Sequence, residues 1–133
     1  MVNLSETRSG YAKEWLGDGQ VLCYRLHNLT VETIDAWAAD LTEEFSNWPV
    51  ERPWRLMLDI RLRGSIVGTY ALRRAREIAR MRPELPGRLS VLVASRIAAD
   101  IIIIAIRATN NTYRSRSVFV NEASALHWLL EEK

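Results

Sequence analysis

The stretch Ile101-Ile102-Ile103-Ile104-Ala105-Ile106 constrains the fold of this chain more than any other. β-Branched residues favour a strand, and a run this apolar suits one buried on both faces. Its neighbours argue otherwise. Leu89-Ser90-Val91-Leu92-Val93-Ala94 reads as a strand before it, and Val118-Phe119-Val120 as a strand after it. Parallel neighbours in a sheet need a crossover connection, usually a helix. Residues 97–109 are therefore predicted as a helix, with Ser95 as its cap and Asp100 in its early turns. Four consecutive isoleucines then sweep about 300° of the helix at 100° per residue. A helix on one face of a sheet cannot bury all of that within its own chain. A contiguous exposed apolar patch marks an interface. The run thus predicts a homodimer through this helix or the surface beside it, with Ile101, Ile103, Ile104 and Arg107 as interface residues.

The rest of the chain supplies the partners for such a helix. Breakers at Gly17-Asp18-Gly19, Pro49 with Pro53, Gly64, Pro83 with Pro86-Gly87, and Asn110-Asn111 are spaced for alternating strands and helices. Residues 11–16 and 20–27 read as two strands of a hairpin about the first of these. Thr30 is placed to cap a helix in which Ile34, Trp37, Ala38, Leu41, Phe45 and Trp48 recur at spacings of three and four, ending before Pro49. Residues 54–60 read as a third strand. A basic loop from Arg61 to Gly64 leads to a second helix from Ser65 to about Met81, with Val67, Ala71, Ala75 and Ile78 inward and Arg73, Arg76 and Arg80 outward. Glu122 to Glu132 reads as a closing helix. The result is an α/β fold, a mixed β-sheet of about five strands with four helices. It forms one domain over residues 1–133, with residues 1–10 as a flexible N-terminal segment.

Composition narrows the function. The chain is 48% apolar and 26% charged, which excludes wholesale disorder. One cysteine excludes a disulfide framework and an all-cysteine metal site. No run reaches the ~18 apolar residues of a membrane span. The first residues lack the basic and apolar regions of a signal peptide, so the expected location is cytoplasmic. Residues 1–51 hold nine acids against three bases, whereas residues 52–88 hold ten arginines against three acids. Three readings stay open for that basic segment: pairing with the acidic half, an anionic or acidic partner, and nucleic acid. No helix-turn-helix, RNA-binding or zinc-finger signature supports the last, and none is expected.

Three stretches carry a resemblance. Residues 21–30 look like a strand running into a Gly-x-Leu-Thr helix start, with Asn28 near the glycine. Leu56-Met57-Leu58-Asp59-Ile60 followed by Ser65-Ile66-Val67-Gly68 looks like a strand and a Ser-Gly-Leu-Gly helix opening. Residues 118–129 look like a Val-Phe strand meeting Glu-Ala-Leu-x-Trp-Leu. With the element order, these resemble the STAS domain of anti-sigma-factor antagonists and, at the C-terminal end, its SpoIIAA-like relatives. The resemblance implies a STAS/SpoIIAA-like fold and a regulatory, protein-interaction role with an anti-sigma-factor-like partner. By motif position Ser65 matches the phosphorylated serine of that family. Arg63 and Gly64 stand where the antagonists carry an acidic residue and a serine, and Ile66 stands where they carry glycine.

Catalytic constellations are thin. His27, His127 and Cys23 have no partners at metal-ligand or nucleophile–base spacing, and no phosphate-loop motif occurs. The chain is expected to be no enzyme and to need no metal or cofactor. Ser65 is the one place where physics converges. A helix start offers free N–H groups and partial positive charge. Arg61, Arg63, Gly64 and Gly68 surround it, at the carboxyl end of a strand where open α/β sheets bind ligands. Ser65 is then a helix cap, an anion site or a regulatory phosphoserine. The competing class is a module for an anionic or lipid-like small molecule, since SpoIIAA-like domains share an architecture with lipid carriers. An apolar cavity under the second and third helices would favour that module, and a dry, filled core the interaction domain.

Overall fold

The structure, a computed structural model, describes residues 5–8 by their backbone and residues 10–61, 68–107 and 114–131 in full. Six strands form one sheet whose spatial order repeats the chain order: β1 (Ser5–Arg8), β2 (Tyr11–Leu16), β3 (Val21–Leu26), β4 (Trp54–Asp59), β5 (Gly87–Leu92) and β6 (Ser115–Phe119). β1, β2 and β3 pair antiparallel, and β3 through β6 pair parallel. The five strands expected from sequence are all present. The additional edge strand β1 falls in the segment expected to be flexible.

The β2–β3 hairpin turns where the sequence placed it. Gly17, Asp18 and Gly19 all take positive φ (58°, 57° and 83°), a region open to glycine and tolerated by aspartate. Gly87 has a different role. A Cβ there would meet the Trp54 carbonyl oxygen at 2.2 Å, so only glycine lets β5 start so close to β4.

Each parallel pair is joined by a helix: α1 (Val31–Ser46), α2 (Thr69–Ala79) and α3 (Arg96–Arg107). The strands are added in one direction across the sheet, and crossovers keep one hand, so all three helices lie on the same face. α4 (Glu122–Leu130) covers the other face. Side-chain alternation follows this division. Leu22, Tyr24, Leu56 and Leu89 point toward α1 and α2, and Val91 toward α3. Val21, Cys23, Met57 and Leu92 point toward Ala125 and Leu129 of α4. Aromatic packing seals the lower end of the first face, where Phe45 stacks on Trp54 at 4.3 Å and Trp48 meets Trp54 edge-on at 4.6 Å.

α1 begins as expected, with the Thr30 side chain accepting from the Thr33 N–H. α3 is helical, and Ser95 Oγ accepts from the Ala98 N–H at 3.1 Å. α2 differs. It starts at Thr69 with Gly68 as an N-cap that makes no side-chain hydrogen bond, four residues later than expected.

Candidate functional site

Ser65, Arg63 and Gly64 lie outside the described residues, and the structure places only the two ends of their segment. Gly68 is the exposed cap of α2. Arg61 is not the free anion ligand expected of it. It chelates Asp59 through Nε to Oδ1 (3.0 Å) and Nη2 to Oδ2 (2.9 Å), and reaches Glu122 at 3.1 Å. Alternation along β4 makes this possible, because Asp59 points to the α4 face where Arg25 of β3 also points. Arg25 donates to Glu14 at 2.7 Å, Asp59 at 2.8 Å and Glu122 at 2.9 Å. Two arginines thus share three carboxylates and tie the first turn of α4 to β2, β3 and β4. Hydrogen bonds from Arg25 lower the Glu122 pKa despite some burial. Burial pulls Asp59 upward, but hydrogen bonds from Arg61 and Arg25 outweigh it and lower its pKa. The cluster sets three carboxylates against two guanidinium groups, so both cations are fully engaged and it offers no nucleophile or spare cation.

Several arginines of the basic segment and beyond it serve backbone carbonyls. Arg82 donates to Phe45 O (3.1 Å) and Trp48 O (2.6 Å), and Arg52 to Gly19 O. Arg114 donates to Ala79 O, Met81 O and Arg82 O, capping the C-terminal end of α2. Arg74 approaches Asp35 at 3.7 Å, an ion pair between the basic and acidic halves.

The first face of the sheet is not filled. A cavity of about 130 Å³ lies between β4, β5 and the helices α1, α2 and α3. A second lobe of about 70 Å³ shares Trp37, Leu58, Ala75 and Leu89 with it. Its cause is legible in α2, whose inner positions Ala71, Ala75 and Ala79 recur every four residues and bring almost no side-chain volume. α2 packs on α1, α3 packs on β6, and the two make little contact with each other, so the cavity opens between them. Ile102, Ala105 and Ile106 form the α3 wall.

Three polar groups stand at this apolar space. Arg76 is exposed on α2 at its edge. Arg116 projects from β6, and burial lowers its pKa. Trp37 lines both lobes, and its indole N–H is buried with no acceptor among the described residues. Buried donors in folded proteins nearly always have partners, so this one calls for an explanation. Sequence reasoning put Ala71 and Ala75 on the inner face of this helix. It missed Ala79, Trp37 and Arg116 as a set, because strand order brings them together across almost 80 residues.

The expected interface residues divide. Ile101, Ile104 and Arg107 are exposed on the outer side of α3. Ile103 is half-buried toward the end of β6. His27 and His127 are both exposed. Among the described residues no cluster of metal-ligating side chains occurs, and no helix is long and apolar enough to cross a membrane.

No protein-family model and no curated protein matches this chain. Among solved structures it is similar to an uncharacterised DUF3478-family protein from Shewanella loihica PV-4. The match has a TM-score of 0.56 at 15% identity, over 96% of this chain and 92% of that one, and that protein's fold is SpoIIAA-like. With its mixed sheet, three crossover helices on one face and a closing helix on the other, this chain has a SpoIIAA-like fold.

Proposed function

We propose that this protein is a non-catalytic SpoIIAA-like module that binds a small apolar molecule carrying an acceptor or anionic group, in the cavity beneath α2 and α3. The observation that carries this reading is the buried, unpartnered Trp37 N–H on the wall of an apolar cavity. An empty apolar cavity of about 150 Å³ takes up a benzene-sized guest, and the main lobe is close to that size. The apolar body of the ligand fills the lobe left by the α2 alanines. Its acceptor takes the Trp37 N–H, and a negative charge sits toward Arg116 and Arg76. The ligand needs no covalent chemistry from the protein, and the cytoplasm, where a lone thiol stays reduced, is the compartment assigned to the module.

The regulatory reading uses the same fold. In it a partner protein binds, and a phosphate or free anion at Ser65 switches the complex. Arg61, the nearest described cation, is already held by Asp59 and Glu122, whereas the cavity is an unfilled space with an unmet donor. That difference favours the ligand.

Titration with octanoate, benzoate and their neutral counterparts octanol and toluene, followed by methyl NMR of Leu58 and Ile102, tests this. Saturable shifts are expected, tighter for the carboxylates. Ala75→Phe should abolish them by filling the cavity, and Trp37→Phe should weaken binding about fivefold, the worth of one hydrogen bond. Absence of saturable binding by all four compounds at millimolar concentration would exclude this function.

A further inference from the structure

The outer face of α3 carries more of the exposed large aliphatic side chains than any other element among the described residues. Ile97, Ile101 and Ile104 are 75%, 56% and 68% exposed, and their spacing of four and three puts them in one stripe. Val120, just past β6, is also exposed. Four of the six large aliphatic side chains exposed among the described residues therefore lie in this one region; Val31 and Val50 are elsewhere. The stripe faces away from the ligand cavity, which is lined by the opposite side of the helix through Ile102 and Ile106. Beside it runs a groove of about 330 Å³ between α3 and the end of β6, lined by Ala99, Ile103, Val118 and Val120 together with the charged Arg96 and Asp100.

The charges on this face identify what covers it. Asp100 and Arg107 flank the stripe on one side, seven residues apart and so two turns along the helix, with Arg96 at the helix start one turn before Asp100. Asp100 and Arg107 are exposed, and neither makes an ion pair among the described residues. A surface that binds an acidic or basic partner carries one sign of charge. This surface carries both signs in an order that complements itself. A two-fold axis maps a flank onto the same flank of the second copy, so each residue meets its reciprocal.

We infer that the protein forms a two-fold dimer in which α3 packs antiparallel against α3 of a second copy. With the axis between Ile103 and Ile104, Asp100 of each copy lies opposite Arg107 of the other. Ile101 and Ile104 pack across the seam, and the groove beside Ile103 and Val120 receives the edge of the opposing stripe. The inference is independent of the proposed ligand, whose cavity lies on the other side of α3.

Sedimentation velocity across 1–500 µM tests it. The wild type is expected to be dimeric in the micromolar range. Ile101→Glu with Ile104→Glu alters only exposed positions and should leave the circular dichroism spectrum unchanged while weakening the dimer at least 100-fold. Asp100→Arg alone should weaken it at least tenfold, and adding Arg107→Asp should restore it. A wild type that stays monomeric to 500 µM overturns the inference, as does a dimer that survives the double glutamate variant. Binding of the monomer to anionic phospholipid vesicles through Ile101 and Ile104, with no dimer in solution, would assign the stripe to a membrane surface and also overturn it.

Discussion

Cys23 sits in the middle of β3 under α4, fully buried, and burial pushes its thiol up to about 12. It should resist alkylation by iodoacetamide at pH 8 in the native protein and react only on unfolding, which mass spectrometry after a timed pulse will show. The charged residues give pH dependences of opposite sign. Glu122 and Asp59 have lowered pKa values, so their stabilisation is complete above about pH 5 and disappears as pH falls through the folded values. Glu122→Gln is expected to cost about 1 kcal/mol at pH 7, a figure kept small by the exposure of the pair. The gap from wild type should close by pH 2 in urea titrations. Lys13 behaves conversely. Burial opposes its charge, but hydrogen bonds to Glu44 and Asp40 outweigh this and raise its pKa. Its stabilisation is full below pH 10.5 and disappears above, so Lys13→Met should flatten the alkaline limb of the stability curve. At this scale the sequence read well where the cause is local. The Thr30 cap and the Gly17-Asp18-Gly19 turn depend on near neighbours alone. Arg61 read as a cation beside Ser65, although Asp59, the last residue of β4, stands only two positions before it and holds it. Glu122, from 61 residues away, completes the pairing.

Among the elements, α2 is held unevenly. Arg114 holds its C-terminal end through the carbonyl of Ala79 and those of Met81 and Arg82 just beyond, whereas Gly68 caps its start with no side-chain bond. Ile78, near the C-terminal end, is its one buried residue. Arg114→Ala should cost about 2 kcal/mol, since hydrogen bonds from a charged donor are the stronger kind. It should also raise hydrogen exchange through the last turn of α2 while leaving β4 protected. The late start of α2 was hidden because serine is the better cap by preference. Ser65 therefore read as the helix opening, and Gly68 leaves no comparable mark. α3 read correctly as a helix against its own β-propensity, because the strands on either side need a crossover. The edge strand β1 could not be read. Its Ser-Glu-Thr-Arg sequence has no apolar alternation, and its pairing to β2 is made by backbone groups that every sequence carries.

For the molecule as a whole, the uneven filling of the two faces is the feature with most bearing on stability. Ala75→Leu places a side chain into a space the fold already holds open. It is expected to stabilise the free protein by about 1 kcal/mol in chemical denaturation while reducing octanoate binding. A loss of stability instead would mean that α2 cannot accommodate the added volume. The order of strands has a further consequence for how the chain is made. Because spatial order repeats chain order, every strand leaving the ribosome finds its partner already synthesised, and the sheet can extend one strand at a time. The face carrying Val21, Cys23, Met57 and Leu92 gains no such cover as it grows, since all of it waits for α4. A nascent chain therefore carries a bare aliphatic surface through most of its synthesis and closes it in a single late step. Cys23 reports that step directly. In translation complexes stalled before Glu122 has cleared the exit tunnel, the thiol should be alkylated within a short pulse. In complexes stalled after Leu130 has emerged, it should be protected.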